Sequence, residues 1–189
     1  MQQIQTKKLD QKVKTILSEK SLVLVGLMGA GKSAIGRRVA SRLQMKFLDA
    51  DTEIETAAGQ SISDIFTEHG EAYFRDREEK IIERLLVDGP LILATGGGAF
   101  MSSVTRNNIK AHGVSVWLRA DLDVLMERVG RRDHRPLLQT TNPTEVMQKL
   151  IDERYPIYSQ SDITVESRDV AHEVIVQEIL KAIANQSQH

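Results

Sequence analysis

One stretch decides how this chain folds: Gly26-Leu27-Met28-Gly29-Ala30-Gly31-Lys32-Ser33. It matches the pattern G-x-x-x-x-G-K-[ST], in which glycines let the backbone curl so that successive N–H groups point at an anion. The lysine ammonium suits the β- and γ-phosphates of a nucleotide, and the serine hydroxyl is a hard oxygen ligand for Mg²⁺. The nucleotide-binding residues predicted here are Gly29, Ala30, Gly31, Lys32, Ser33 and Ala34.

The residues on either side of this loop are those that a phosphate loop requires. Leu22-Val23-Leu24-Val25 is an unbroken apolar run, which is typical of a strand covered on both faces. After the loop, Ile35, Val39 and Leu43 recur at intervals of four, so they share one face of a helix whose positive N-terminal end adds to the anion site. The order of strand, loop and helix therefore supports the interpretation of this stretch as a phosphate loop.

Composition limits the other possibilities. The chain has 189 residues, enough for one domain with a sizeable core. Its net charge of −1 gives no electrostatic reason to expect binding to nucleic acid or to a membrane surface. There are no cysteines, which excludes disulfides and thiolate metal sites. No apolar stretch is long enough to span a bilayer and no secretory signal is expected, so we expect a cytoplasmic enzyme.

Strands and helices alternate along the chain, which predicts an α/β fold in three layers, a parallel sheet with helices on both faces. The predicted strands are 22–25, 47–48, 91–95, 114–118 and 163–165. The predicted helices are 34–43, 61–66, 71–87, 102–112, 121–129, 144–155 and 171–183, with another starting at Glu53. We expect one domain over residues 21–184 and a polar tail over 185–189. The extension over residues 1–20 contains an amphipathic helix at about 9–19, docked on the domain, or is partly disordered.

Two carboxylates follow the second predicted strand, at the sheet edge where open α/β sheets bind ligands. Asp49 and Asp51 are two residues apart and would point the same way along an extended backbone. Together they could hold Mg²⁺ and accept a proton from a substrate hydroxyl. The alternative is structural, because Asp51 or Thr52 could cap a helix that starts at Glu53.

Three further stretches are candidates for substrate contacts. Arg75 lies near a helix start, where it could face an anionic substrate, whereas Asp76, Glu79 and Lys80 look like a solvated face. Gly96-Gly97-Gly98 follows an apolar strand and leaves bare backbone that a ligand can approach. Arginines crowd a segment that we expect to form a mobile lid at about residues 130–143, which would close over the γ-phosphate. They are Arg128, Arg131, Arg132 and Arg135.

Taken together, these stretches resemble the shikimate kinase family over about residues 21–183. The matching stretches are 26–33, Asp49-Ala50-Asp51, Tyr73-Phe74-Arg75-Asp76-Arg77-Glu78, Thr95-Gly96-Gly97-Gly98, Arg135-Pro136-Leu137-Leu138 and Glu153-Arg154-Tyr155 before Tyr158. The resemblance implies phosphorylation of the 3-hydroxyl of shikimate by ATP with Mg²⁺. It also implies a P-loop kinase fold, with a five-stranded parallel sheet in the order 2-3-1-4-5 and a mobile lid, in a monomer.

The resemblance also implies a role for individual residues. Asp51 would hold the substrate hydroxyls and accept the proton, while Asp49 would orient Mg²⁺ through water, beside Ser33 as a direct ligand. Lys32 and Arg135 would neutralise charge on the transferred phosphoryl group. The substrate carboxylate would meet Arg75 and Arg154, both acting as planar donors, and the backbone N–H of Gly97 would also contact the substrate.

The remaining predicted nucleotide contacts are Arg131 and Arg168. Arg168 belongs to a turn that resembles the adenine-contacting turn of the family, although some members carry a proline near Val170 and this chain does not. Three alternatives remain. A gluconate kinase of the same fold would also suit two arginines aimed at one carboxylate. A nucleoside-monophosphate kinase would need a second site for a phosphate and a base, and a GTP-dependent switch would need an Asn-Lys-x-Asp stretch, which the chain lacks.

Overall fold

A parallel β-sheet forms the centre of the structure. The computed structural model describes residues 2–130 and 142–186, and within these ranges five strands and eight α-helices are present. The strands are β1 (Ser21–Val25), β2 (Phe47–Asp49), β3 (Ile92–Ala94), β4 (Gly113–Arg119) and β5 (Ile163–Glu166). They pair in the order β2-β3-β1-β4-β5, every pair being parallel, which confirms the predicted order.

Helices cover the sheet and contact one another. They are α1 (Gln2–Ile16), α2 (Lys32–Leu43), α3 (Ala50–Ala58), α4 (Ile62–Val87), α5 (Ser103–His112), α6 (Leu122–Gly130), α7 (Pro143–Tyr158) and α8 (His172–Gln186), with a short 3₁₀ turn at Ala99–Met101. Helices α1, α2 and α8 contact one another, and α4 contacts α5. Every residue of β1 is buried, as the apolar run predicted. Among the described helices, none combines the length and the apolarity needed to cross a membrane.

The N-terminal helix starts earlier than predicted and packs on the domain. It covers Gln2–Ile16 rather than 9–19. Val13 and the following Leu17 are 0% and 1% exposed and belong to the main apolar core. Asp10 forms an ion pair with Arg42 of α2 at 2.8 Å. The sequence left open a docked helix or a partly disordered extension, and the structure has the docked helix.

The prediction for the start of α3 was wrong. The helix begins at Ala50, and Asp49 is its N-cap, with a side chain that accepts a hydrogen bond from the Asp51 N–H. Asp51 therefore lies in the first turn of a helix and not on an extended backbone beside Asp49. An aspartate directly before a helix suits the N-cap because its carboxylate accepts from an unpaired N–H group. The cap lies two residues before Asp51, the earlier of the two caps that the sequence pattern suggested.

Helix α4 is interrupted at Gly70, whose backbone (φ 81°, ψ 173°) is not helical. This break separates the two helices that the sequence predicted at 61–66 and 71–87. The hydroxyl of Ser61 caps the first of them by accepting from the Asp64 N–H at 3.1 Å. A positive φ is readily adopted by glycine alone, so Gly70 sets the angle between the two segments.

Candidate active site

The phosphate loop has the backbone that its glycines predicted. Gly26, Gly29 and Gly31 have φ angles of 138°, 84° and 92°. A Cβ on Gly26 would lie 2.7 Å from the carbonyl oxygen of Leu118, so no other residue fits there. The Lys32 ammonium donates to the carbonyl oxygens of Gly26 and Leu27 at 2.7 and 2.9 Å. Lys32 also begins α2, which places the positive end of that helix at the loop.

Two hard oxygen ligands meet at the end of β2. The Ser33 hydroxyl donates to Asp49 Oδ2 at 2.5 Å, while Asp49 Oδ1 accepts from the Asp51 N–H at 3.2 Å. Mg²⁺ prefers oxygen ligands and usually takes one or two protein oxygens, with water and phosphate completing its octahedron. The Ser33–Asp49 pair, next to the phosphate loop, fits such an ion.

Asp51 faces the same cleft from the first turn of α3. Burial raises the pKa of its carboxyl group, and the nearby Asp49 raises the pKa further, whereas Lys32 and Arg75 oppose the shift. A carboxylate with a raised pKa is a better proton acceptor than an ordinary aspartate. Its Oδ1 lies 2.8 Å from the position of a Cβ on Gly96, so only glycine allows this approach.

Arg75 is held from three sides. Its Nη1 donates to Glu78 Oε2 at 2.6 Å, and its Nη2 and Nε donate to Glu71 Oε1 at 3.1 and 3.3 Å. The flat guanidinium covers Gly98, where a Cβ would lie 2.5 Å from Nη2. Across the glycine stretch, Arg154 Nη1 donates to the Gly97 carbonyl at 2.8 Å. Both arginines therefore reach Gly97-Gly98 from different helices, α4 and α7.

Glu78 is a site residue that the sequence analysis missed. It is 2% exposed, and its Oε1 has no hydrogen-bond partner among the described residues. This oxygen lies 2.7 Å from the position of a Cβ on Gly96. Burial raises the pKa of the Glu78 carboxyl group, while the Arg75 charge opposes that shift. The spacing could have revealed it, because Phe74, Glu78 and Ile82 recur every four residues along the buried face.

The triple glycine thus has a second explanation besides access for a ligand. The space beside Gly96 is taken by the carboxylates of Asp51 and Glu78, and the space beside Gly98 by the Arg75 guanidinium. At Gly97 the nearest atom to a Cβ would be Arg154 Nη1, at 3.4 Å. The chain's own charged side chains approach this backbone as closely as a ligand would.

At the other end of the cleft, Arg128 connects the phosphate loop to the turn after β5. Its guanidinium donates to the Ser167 hydroxyl at 2.8 Å and to the Arg168 carbonyl at 2.7 Å. The Ser167 hydroxyl in turn donates to the Ala30 carbonyl at 2.8 Å. The Arg168 side chain is paired with Glu178 of α8 at 3.0 Å. Arg128 was predicted only as one of the crowded arginines, and these bonds fix it at the nucleotide end.

A single cleft of about 1290 Å³ gathers most of the predicted residues. Those that line it are Gly29, Gly31, Lys32, Ser33, Ala34, Asp49, Asp51, Arg75, Gly97, Arg154 and Arg168. Ala30 belongs to the same loop but is fully buried and does not line the cleft. Arg131 and Arg135, with most of the predicted lid, lie outside the described residues. The cleft opens at the carboxyl ends of β1, β2 and β3, where an open parallel sheet binds ligands.

A phosphate loop between β1 and α2, facing carboxylates and arginines across one cleft, defines a P-loop kinase with a small acceptor. The chain belongs to the shikimate kinase family, whose model matches residues 28–184. It is 56% identical over 167 residues to the shikimate kinase of Bradyrhizobium diazoefficiens, covering 88% of this chain and 81% of that protein. As a member of this family it is a phosphotransferase that uses ATP.

Solved structures agree with this family. The shikimate kinase of Acinetobacter baumannii in complex with shikimate superposes with a TM-score of 0.87 at 36% identity, covering 94% of this chain and 99% of that one. A gluconokinase from Sinorhizobium meliloti superposes with a TM-score of 0.61 at 19% identity, covering 90% and 94%. At that identity the second likeness shows only a shared fold. The family match and the closer structure favour shikimate kinase over the gluconate alternative.

Proposed function

We propose that this chain transfers the γ-phosphoryl group of ATP to the 3-hydroxyl of shikimate, in the pathway to chorismate and the aromatic amino acids. One observation carries the proposal. Asp51 and Arg75 line the same cleft as the hydrogen-bonded Ser33–Asp49 pair, and the charges of Asp49 and Arg75 both act on the Asp51 carboxylate. A small acid that carries both a carboxylate and a hydroxyl group would fit this cleft. Its carboxylate would bind to the arginines and its hydroxyl group would contact Asp51.

On the nucleotide side, the loop from Gly29 to Ala34 would bind the phosphates through backbone N–H groups. Lys32 would turn its ammonium from the loop carbonyls toward the β- and γ-phosphates. Ser33 would be the direct protein ligand of Mg²⁺ and Asp49 would orient the ion through water. The ion itself would supply neutralisation of phosphate charge. Arg131 and Arg168 remain predicted nucleotide contacts, and Arg135 a predicted contact of the transferred group.

On the acceptor side, Arg75 and Arg154 would bind the carboxylate with the Gly97 N–H. Asp51 would hold the reacting hydroxyl and take its proton as the bond to phosphorus forms. Phosphoryl transfer needs little covalent work from the protein, so positioning and charge stabilisation supply most of the rate. The raised pKa of Asp51 suits this proton acceptor, since burial makes the carboxylate more basic.

The test is ADP release by the purified chain with Mg-ATP and one acceptor at a time. Shikimate, gluconate and AMP are compared, each beside a blank without acceptor. Turnover with shikimate alone supports the proposal. Turnover with gluconate or AMP would keep the phosphate loop but overturn the acceptor, and ADP at the blank rate with all three would overturn the kinase activity itself.

We also propose that the enzyme acts as a monomer in the cytoplasm, with residues 21–184 as its catalytic domain. The family resemblance supports the monomer. Light scattering coupled to size exclusion gives the mass directly. A mass near 21.2 kDa is expected, and twice that value would contradict the monomer.

A further inference from the structure

Arg75 has two carboxylate partners that differ in burial. Glu78 is 2% exposed and pairs with Nη1 at 2.6 Å from inside the helix packing. Glu71 has a side chain that is 67% exposed and pairs with Nη2 at 3.1 Å from the solvent side. Glu78 is fixed by its surroundings, whereas Glu71 can turn away into water. An exposed pair of this kind contributes little to stability, so breaking it costs little.

Glu71 occupies the edge of the Arg75 guanidinium that a substrate carboxylate would need in order to bind with two hydrogen bonds. Nε and Nη2 present two parallel N–H groups, the arrangement that binds a carboxylate with two bonds. Both groups donate to Glu71 Oε1. Nη1 is engaged by Glu78, and the Gly98 backbone covers one face of the group. An anion that approaches Arg75 from the cleft therefore meets Glu71 already in place.

The position of Glu71 along the chain favours a side chain that can move. It follows Gly70 directly, where α4 is interrupted, and so begins the second helical segment. Apart from its chain neighbours, no atom of the described residues lies within 4 Å of the position of a Cβ on Gly70, so the break is in open space. A carboxylate at the start of a helix is stabilised by the N-terminal dipole. Glu71 thus keeps a favourable interaction when it leaves Arg75.

We propose that Glu71 is an internal substitute for the substrate carboxylate, which occupies Arg75 in the empty site and is displaced when the acceptor binds. The inference rests on the proposed function, in which Arg75 binds that carboxylate. Because the acceptor carboxylate must break the Glu71–Arg75 pair in order to bind, Glu71 lowers the affinity for the acid that does bind.

The test replaces Glu71 with a neutral residue of the same shape. Glu71→Gln is expected to lower both the dissociation constant and the KM for shikimate about two- to threefold, with kcat unchanged. The gain should shrink at high salt, since exposed charges are screened. The matched control is Asp76→Asn, which breaks an exposed pair with Lys80 at 2.8 Å on the same helix and should change neither constant. Glu71→Ala provides a second variant with the same expected direction.

The direction in which shikimate affinity changes in the Glu71 variants decides between displacement by the substrate and a merely orienting role. Weaker or unchanged shikimate binding in both Glu71 variants would overturn the inference, because a residue that merely orients Arg75 loses affinity when removed. Calorimetric titration of the unaltered chain with shikimate distinguishes a failure of the proposed function from a failure of the role of Glu71. Absence of shikimate binding there would overturn the proposed function and this inference with it. Binding by the unaltered chain without tightening in the variants would overturn only the role of Glu71.

Discussion

Asp51 and Glu78 bring carboxylate oxygens to the same point above the Gly96 backbone. Oδ1 of Asp51 and Oε1 of Glu78 lie 2.8 and 2.7 Å from the position that a Cβ on Gly96 would occupy. They come from different helices, α3 and α4, and the Asp51 charge adds to the effect of burial in raising the pKa of Glu78. The glycine therefore lets a proton acceptor and the carboxylate that holds Arg75 share one small space.

Gly96→Ala should separate these two groups. The added methyl would lie under 3 Å from both oxygens, so one or both side chains must shift. Because a shift of about 1 Å in a catalytic group can cost on the order of 100-fold, we expect kcat/KM for shikimate to fall by at least 10-fold. Val104→Ala is the control, since Val104 is 50% exposed on α5 and does not line the cleft. Equal kinetics for the two variants would argue against the crowding.

Glu78→Gln should weaken shikimate binding through Arg75. The change removes a buried charge that accepts from Arg75 Nη1 at 2.6 Å, and hydrogen bonds to charged groups contribute about 1.5–3 kcal/mol. The neutral amide oxygen would accept from the guanidinium more weakly than the carboxylate does, which leaves the exposed Glu71 as the charged partner of Arg75. Steady-state kinetics should show a KM for shikimate raised roughly tenfold or more, with the KM for ATP unchanged. Glu79→Gln, one position along, serves as the control, and a KM shift of the same size there would remove Glu78 from this role.

Asp51→Asn should gain stability while losing activity. The pKa of Asp51 is raised in the folded protein, so its ionised form opposes folding at neutral pH. This penalty is present above the raised pKa and is relieved as the pH falls through it. The variant should therefore unfold at a higher temperature at pH 7, with a difference that shrinks in acid, and should lose most of its turnover. Glu53→Gln on the same helix should show neither effect. A destabilised variant at pH 7, or one with near-normal kcat, would contradict the assignment.

Asp49→Asn should raise the concentration of Mg²⁺ needed for activity. Asparagine caps helices about as well as aspartate, so α3 should persist, while the charge beside Ser33 is lost. Activity measured against Mg²⁺ at fixed ATP should show a half-maximal concentration shifted upward at least severalfold. Circular dichroism checks that the helix content is retained. An unchanged Mg²⁺ dependence in a folded variant would show that Asp49 does not act on the ion.

Leu17→Ala should destabilise the whole domain without altering the site. Leu17 is 1% exposed in the core, and removing such a side chain costs about 2–5 kcal/mol. The melting temperature should fall, by about 2–4 °C for each 1 kcal/mol, while kcat at low temperature stays the same. Ile4→Ala provides the comparison on α1, because Ile4 is 62% exposed. If both variants melt like the parent chain, the N-terminal helix does not stabilise the fold.

Much of this fold was predictable because its signals are local. The apolar run before Gly26 and the period-four pattern from Ile35 to Leu43 predicted β1 and α2, and the structure confirms both. The alternation of strands and helices favoured a parallel sheet, whereas the strand order followed from the family resemblance. Helix bounds were less accurate, since caps such as Asp49 depend on where the preceding strand ends.

The candidate site was harder to predict in full because it depends on contacts between distant segments. Glu78 lies within a charged run that looks solvated, and its burial becomes visible only when α4 packs beside Gly96. Arg128 likewise gains its position from Ser167, which is 39 residues away along the chain. Glu71 has no motif that marks it, and its contact with Arg75 follows from helical spacing of four residues.

The most direct test of the central account is the identity of the reaction product. Phosphorus NMR of the chain incubated with Mg-ATP and shikimate should show a phosphate monoester forming as ADP appears. Proton spectra should assign that ester to the 3-hydroxyl, and the Asp51→Asn variant should form almost none. An ester at another hydroxyl, or ADP with inorganic phosphate and no ester, would contradict the placement of the acceptor between Asp51 and the two arginines.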